Sequence, residues 1–362
     1  MRTVVIGLGW LATEVWLPRL LAHPGFKVVG AVEPTASPAP VGLPVYRDHR
    51  EVPAEDVDCV FVLTPNHTHG EIGAWFLRRG CHVVLEKPSC TRAEEIDGLA
   101  EAARAGGGRL SLSAVARHRA DVMALSSIVA SGALGTPRLA DLSWIRARGI
   151  PGSPWFTSHA TSGGGALVDL GWHLLDAAHH LWGPARVRTA AAQATADFLH
   201  RPGWAAHWHG AAVSVGGDEA EPNVEDQLTA LVTTDSYTLR LRFAWASHED
   251  LDRTTIVLHG TDGSAELLTT FGLSPNRIAT PSLRLKRGGQ VEEIRLPACG
   301  VGDEFDRQLD ALAAPTVDAG AATDRALTCA RDVLSIVDAC YTSTRGTSSR
   351  TAQAAAPTRL IP

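Results

Sequence analysis

The chain has 362 residues, 45% of them hydrophobic and 20% charged, and a formal net charge of -6. That length supports two domains with real cores, and the composition is that of a globular protein. The absence of a basic run argues against nucleic acid as a partner, and no apolar run reaches membrane-spanning length.

Thr3–Ile6 reads as a short buried strand, followed by a glycine turn and a helical pattern from Leu11 to Leu21. Further apolar strands are expected at Lys27–Val32, Cys59–Leu63, His82–Leu85 and Leu110–Val115. Helices through Trp75 and Phe76 and from Ala93 to Ala103 separate them. Strands alternating with helices predict a parallel sheet covered on both faces. The period then changes. Tyr237 to Ser247 alternates, with Leu239, Leu241, Phe243 and Trp245 on one face and Arg240 and Arg242 on the other. Thr254–Leu258, Ala265–Leu268 and Leu283–Lys286 continue the pattern, which predicts a largely antiparallel sheet. Helical spacing returns at Glu304–Leu312 and Asp324–Tyr341, and beyond about Thr342 the chain turns Ser/Thr/Ala/Pro-rich, as a loose tail does.

Of 33 basic residues only Lys27, Lys87 and Lys286 are lysine. This bias is expected of a GC-rich genome and makes each lysine informative. The cysteines Cys59, Cys81, Cys90, Cys299, Cys329 and Cys340 contain no C-x-x-C pair, so neither a zinc knuckle nor a thioredoxin-type site is indicated. With a strand rather than a cleavable leader at the N-terminus, a reducing cytoplasm is the expected compartment.

Gly7-Leu8-Gly9-Trp10-Leu11-Ala12 fits G-x-G-x-x-G/A, directly after a strand and at the opening of a helix. Such a loop lets backbone approach a pyrophosphate seated on the positive helix end. Glu33 ends the second strand, where a carboxylate binds ribose hydroxyls and repels a 2′-phosphate. No Arg or Lys lies between Pro34 and Tyr46. NAD is therefore expected over NADP.

Two loops follow strands whose carboxyl ends line the same crevice. In the first, Thr64, Pro65, Asn66, His67, Thr68 and His69, the polar groups either contact the nicotinamide ribose or cap the next helix. The second is Glu86-Lys87-Pro88, where an ammonium can polarise a carbonyl or sit in a surface ion pair. Gly163-Gly164-Gly165 precedes Ala166 to Asp176, and on a helix Asp169 and His173 would be i,i+4 neighbours suited to proton transfer. A buried His satisfied by Asp is the plainer alternative. A metal site using His173, Asp176, His179 and His180 lacks a clear ligand set, and none is expected.

Together, the GLGWLA, TPNHTH, EKP and GGGALVDLGWHLLD segments resemble the Gfo/Idh/MocA family, in order and spacing, over residues 1 to about 340. The resemblance implies an α/β fold. An N-terminal Rossmann domain (residues 1–120) would precede a C-terminal α/β domain (121–342) on an open, mostly antiparallel sheet that binds substrate and forms a homodimer or homotetramer, with a tail over 343–362. By motif, Lys87, Asp169 and His173 correspond to the catalytic group. Gly7, Gly9, Trp10, Leu11, Ala12, Glu33, Thr64, Pro65, Asn66, His69, Glu86 and Lys87 correspond to cofactor contacts. Arg117 and Trp155 join Lys87, Asp169 and His173 as substrate contacts. Ala120 stands where proline is common, and Trp155-Phe156 where Trp-Arg is common.

The reading is a cytoplasmic NAD-dependent dehydrogenase that oxidises a ring secondary alcohol of a sugar, amino sugar or cyclitol. His173 would take the hydroxyl proton, oriented by Asp169, with Lys87 hydrogen-bonding the same oxygen; Lys87 as the proton acceptor is the alternative. The arginine-heavy coding extends this to secondary metabolism, with an aminoglycoside or nucleotide sugar as substrate. Asp218, Glu219, Glu221, Glu225 and Asp226 form an acidic stretch that either attracts a cationic amino sugar or is a solvated loop. Trp155, Trp204 and Trp208 either stack on sugar or pack. Alternatives on the same scaffold are an NAD-dependent glycoside hydrolase and a non-catalytic NAD-binding regulator.

Overall fold

Runs of Val, Ile and Leu set the first half of the computed structural model, which describes residues 1–35, 42–201, 203–206, 221–315 and 317–354, with side chains through 345. β1 (Arg2–Ile6), β2 (Lys27–Val32), β3 (Val45–Tyr46), β4 (Cys59–Val62), β5 (His82–Leu85) and β6 (Arg109–Leu112) form one parallel sheet in the order 3-2-1-4-5-6. β4 and β5 are buried at every position, as strands covered on both faces must be. The strand order reverses between β1 and β4, and that reversal opens a ligand crevice at the carboxyl ends.

The first helix begins as a wide π-type turn, Leu11–Trp16, and continues as α1 (Leu17–Ala22). α2 (His69–Leu77) and α3 (Ala93–Gly106) follow β4 and β5. On one side of the sheet Trp16 packs 5.3 Å from Phe61 and, edge-on, 5.1 Å from Phe305.

The second half adds α4 (Ala120–Ala130), β7 (Pro137–Ile145), α5 (His159–Ser162), α6 (Trp172–Trp182), β8 (Val187–Thr195), β9 (Gln227–Thr234), β10 (Thr238–Ala244), β11 (Arg253–Gly260), β12 (Ser264–Thr269), β13 (Ser282–Arg287) and β14 (Gln290–Ile294). These eight strands pair in the order 14-13-12-11-7-10-9-8, antiparallel except for β7 with β10. Leu239, Leu241 and Phe243 are buried while Arg240 and Arg242 are exposed, so the alternation has one core face and one open face. α7 (Asp303–Ala313) and α8 (Ala319–Ala354) return to the first sheet. There Gln308 Nε2 donates to Leu112 O at 2.9 Å and Leu110 N to Thr323 Oγ1 at 3.0 Å.

Three expectations change. The fifth strand ends at Leu112, and Val115–His118 forms a 3-10 turn instead. β3, β7, β8, β9 and β14 are additional strands; the Ala- and Thr-rich runs of β8 and β9 weaken the apolar alternation, whereas β7 does alternate, at Leu142, Ser143 and Trp144. The tail is not loose from residue 343: α8 stays helical to Ala354 because Ala, Thr, Ser and Arg tolerate helix and the next proline is Pro357. The last eight residues lie outside the described range.

Candidate active site

The glycine loop is built for a phosphate. Gly7 has φ +89°, and a Cβ there would sit 2.9 Å from the Leu63 carbonyl oxygen, so only glycine lets β1 turn this close to β4. At Gly9 a Cβ would meet nothing within 4 Å, which leaves space above the start of the helix. The Leu8 N–H donates to Glu33 Oε2 at 3.0 Å, and Glu33 Oε1 accepts from Thr35 N and Oγ1 at 2.9 and 2.6 Å. Partial burial opposes ionisation of Glu33, but these donors overcome it and its pKa is lowered. A carboxylate braced in this way suits the ribose end of a dinucleotide. Arg47, the residue after Tyr46, folds back so that its guanidinium donates to the carbonyls of Glu33, Pro34 and Thr35. A cation therefore does stand at this end of the crevice.

At the other end, Lys87 and Asp169 meet across the two halves of the chain. Lys87 follows β5 and is joined to Pro88 by a cis peptide bond. Its Nζ donates to Asp169 Oδ1 at 2.6 Å and to the Asp169 carbonyl at 3.2 Å. Asp169 Oδ2 accepts from Trp245 Nε1 at 2.8 Å, and Arg146 Nη1 lies 3.7 Å from it. Burial would raise the Asp169 pKa, but Lys87 and Arg146 hold it well below the ordinary carboxylate range. Trp245 and Arg146 belong to the site although the sequence reading missed both. Trp245 counted only as an apolar-face residue, yet its indole N–H is a donor. Arg146 follows β7, whose alternation at Leu142, Ser143 and Trp144 was the available signal.

His173 lies four residues after Asp169, just past the π-type turn Leu167–Gly171, and the Asp169 charge still acts on its ring. Among the described residues no hydrogen bond joins them. The His173 ring instead lies 5.7 Å from that of Trp144. Burial and the nearby Lys87 push its pKa down to about 3, so the imidazole is neutral at physiological pH. Above it, Glu225 holds the amino end of this helical segment. Its Oε2 accepts from Gly165 N at 3.1 Å, its carbonyl from Ala166 N at 3.1 Å and its Oε1 from Leu167 N at 2.9 Å. A Cβ on Gly165 would fall 1.8 Å from the Glu225 carbonyl oxygen, so glycine is required for this approach.

Several expected contacts are otherwise engaged. His69 is fully buried, with Nδ1 2.8 Å from the Pro88 carbonyl and Nε2 2.8 Å from that of Thr64. Burial lowers its pKa, so the neutral ring carries one N–H, which donates to one of these two carbonyls and holds the ring between the crevice loops. Asn66 Nδ2 donates to Ser162 O at 2.7 Å. The Thr64 and Thr68 hydroxyls pair at 2.6 Å. Glu86 is buried, which raises its pKa, while Lys87, the Ser113 hydroxyl and the Trp16 indole beside it oppose that rise. Arg117 Nε donates to Asp176 Oδ2 at 2.7 Å and its Nη2 to Cys329 Sγ at 3.0 Å.

Trp155 stacks on Phe156 at 4.2 Å, and Phe156 stands 6.5 Å from Trp245, so the aromatic pair approaches the site through Phe156. The acidic stretch is not a uniform solvated loop. Glu221 is exposed, whereas Glu225 and Asp226 are buried, because both serve as acceptors for backbone N–H groups. Asp218, Glu219 and Trp208 lie outside the described residues. No cluster of three metal-ligating side chains occurs among the described residues, and no described helix is long and apolar enough to cross a membrane.

Comparison with known proteins bears on these features. Residues 1–113 match the model of the oxidoreductase family with an NAD-binding Rossmann fold, and residues 122–266 match the GFO/IDH/MocA C-terminal domain. A protein of Amycolatopsis mediterranei named as a UDP-kanosamine synthase oxidoreductase subunit is 40% identical over 95% of this chain and 96% of its own. The D-glucoside 3-dehydrogenase of Escherichia coli is 30% identical over 52% of this chain and 56% of its own. In fold, the chain superposes on an oxidoreductase domain protein from Kribbella flavida with a TM-score of 0.75 and 19% identity, covering 96% and 97% of the two chains. It superposes on a 3-ketoreductase from Actinomadura kijaniata with a TM-score of 0.67 and 23% identity over 95% and 97%. Motifs, domain models and the full-length relative agree: this chain belongs to the Gfo/Idh/MocA family of NAD(P)-dependent oxidoreductases.

Proposed function

We propose that this protein oxidises a ring secondary alcohol, at C3 of the hexose of a sugar nucleotide, with NAD as acceptor. The observation that carries the reading is the Lys87–Asp169 pair beside a neutral His173 at the mouth of a dinucleotide crevice. Support for the substrate comes from the relative named for UDP-kanosamine, and support for C3 from those named as 3-dehydrogenase and 3-reductase. Glu33 supports NAD, since its carboxylate opposes a 2′-phosphate.

The cofactor, when bound, supplies the hydride acceptor. His173, neutral, takes the hydroxyl proton as the carbon–oxygen bond gains double-bond character. The Lys87 ammonium, held by Asp169, hydrogen-bonds the same oxygen and offsets its developing negative charge. Arg146 adds a second positive charge beside Asp169, so the cluster of Lys87, Arg146 and Asp169 is net cationic where an alkoxide forms. We further propose that the open face of the second sheet joins copies of the chain in a homodimer or homotetramer.

The test is turnover of UDP-glucose with NAD and, separately, NADP, followed by the absorbance of reduced nicotinamide and by product analysis. Net reduced cofactor together with a 3-keto sugar nucleotide is expected. Glycoside cleavage without net reduced cofactor, or reduction of NADP alone, would overturn the reading.

A further inference from the structure

The strands that floor the active site continue past it. Arg146 N donates to Ala244 O at 3.0 Å, Ser247 N to Ala147 O at 3.2 Å, and Arg148 bridges to Ala246. Ile150 then exchanges backbone hydrogen bonds with the next segment, accepting from Ala206 N at 2.9 Å and donating to Trp204 O at 3.1 Å. Contacts therefore progress along one stretch of chain. Trp144 meets the His173 ring, Arg146 meets Asp169, and the Arg148 guanidinium lies 5.7 Å from the ring centre of Trp204. At about 3.3 Å of rise per extended residue, Arg148 stands about 7 Å beyond Arg146, the scale of one sugar ring.

A small aromatic group gathers there. Trp204 lies 4.4 Å from Phe198 and 5.4 Å from His248, and the Arg201 guanidinium is 5.4 Å from the Phe198 ring. Arg148, Arg201 and His248 are exposed and Trp204 is half-buried. Among the described residues neither arginine is paired with a carboxylate. Asp226, beneath them, accepts from the backbone N–H groups of Phe198 and Leu199, which braces the segment. Nothing in hydride transfer uses this group. Flat aromatic faces stack bases, and guanidinium forks take phosphate oxygens in pairs.

We propose that Arg148, Arg201, Trp204 and His248 form the subsite for the nucleoside diphosphate of the substrate, with the hexose between it and His173. The arginines hold the diphosphate, while Trp204 and His248 face the base. This assignment rests on the sugar-nucleotide reading above.

The experiment compares wild type with Arg148→Gln, Arg201→Gln and Trp204→Leu on UDP-glucose and on methyl glucoside. Inhibition by free UDP is measured on enzyme saturated with NAD, so that UDP cannot compete at the adenosine site. Thermal melts check that each variant is folded. The expected result is a rise of about 10-fold or more in the KM for UDP-glucose and in the inhibition constant for UDP with each arginine variant, a smaller rise with Trp204→Leu, and kcat unchanged. Turnover of methyl glucoside should not move. If wild type oxidises UDP-glucose and is inhibited by UDP but the variants match it, the subsite is wrong and the substrate reading stands. If UDP does not inhibit wild type and UDP-glucose is no better than methyl glucoside, the substrate reading fails and the subsite with it.

Discussion

Asp169→Asn tests the core of the site most directly. The carboxylate touches Lys87 Nζ at 2.6 Å and Trp245 Nε1 at 2.8 Å, and its side chain is 11% exposed against 13% for Lys87. An asparagine keeps the shape but removes the charge, leaving Lys87 and Arg146 as two cations without their shared counter-ion. Its Nδ2 also points a donor at one of two donors. Breaking a buried pair this way costs about 3–5 kcal/mol, and the slight exposure places the loss near the lower end. Because the Asp169 pKa is lowered, its stabilisation is complete at neutral pH and fades only as pH falls through that depressed value. Urea unfolding should show the deficit unchanged from about pH 5 to 8 and shrinking in strong acid. In parallel, kcat should fall about 100-fold as Lys87 loses its aim, with NAD binding largely kept. A variant within about 1 kcal/mol of wild type and within a few-fold of its kcat would show that the pair is solvent-screened and not catalytic.

Other residues give sharper single readouts. His173→Gln should lower kcat by about 100-fold or more while leaving NAD affinity intact by fluorescence titration. It should also relieve acid sensitivity, because an imidazole with a folded pKa of about 3 makes wild-type stability fall as pH drops from the ordinary imidazole range toward that value. Gly7→Ala should abolish measurable cofactor binding and lower the melting temperature, since its Cβ meets the Leu63 carbonyl at 2.9 Å with φ at +89°. Glu33→Ala should narrow the preference for NAD over NADP at least about 10-fold in kcat/KM, because the carboxylate that repels a 2′-phosphate is gone; an unchanged ratio would remove Glu33 from cofactor choice. Glu225→Ala should cost about 1–3 kcal/mol by stranding the Leu167 N–H and removing the acceptor of the Tyr341 hydroxyl, while Gly165 N keeps its bond to Tyr341, and should reduce kcat through the helix that carries Asp169 and His173.

The parts of the molecule written in short-range pattern were legible. Strand–glycine–helix order marked the parallel sheet, and the 239–245 alternation marked the second one. Lys87 stood out because lysine is scarce here. What could not be seen was partnership across distance. Asp169 and His173 are four apart, and only the fold shows that Asp169 takes its hydrogen bonds from the remote Lys87 and Trp245. Arg117 has the family's placement, yet Asp176 and Cys329, remote in sequence, take its donors. His69 and Asn66 sit on a loop that lines the crevice, and burial redirects both toward backbone carbonyls. The acidic stretch failed for the same reason. Composition says charge, and only folding reveals that Glu225 and Asp226 are acceptors for backbone N–H groups.

These redirected residues change how the site must be understood. Asn66 binds Ser162 O, Lys87 binds Asp169, and Arg109 Nη2 reaches the Leu312 carbonyl at 3.4 Å. Each pair joins the parallel-sheet half to later chain. In the mechanism proposed above, the ammonium comes from the cofactor half, while its counter-ion and the neutral imidazole come from the other. Neither half carries the chemistry alone, so the geometry at the reacting oxygen is set by how the halves register. His69, buried between the Thr64 loop and the Pro88 turn, supports the segment that carries Lys87 on one side. Glu225 collects the N–H groups of Gly165, Ala166 and Leu167, which fixes Asp169 and His173 on the other. A substitution at either staple therefore moves catalytic groups without touching substrate, and it should lower kcat more than it raises KM.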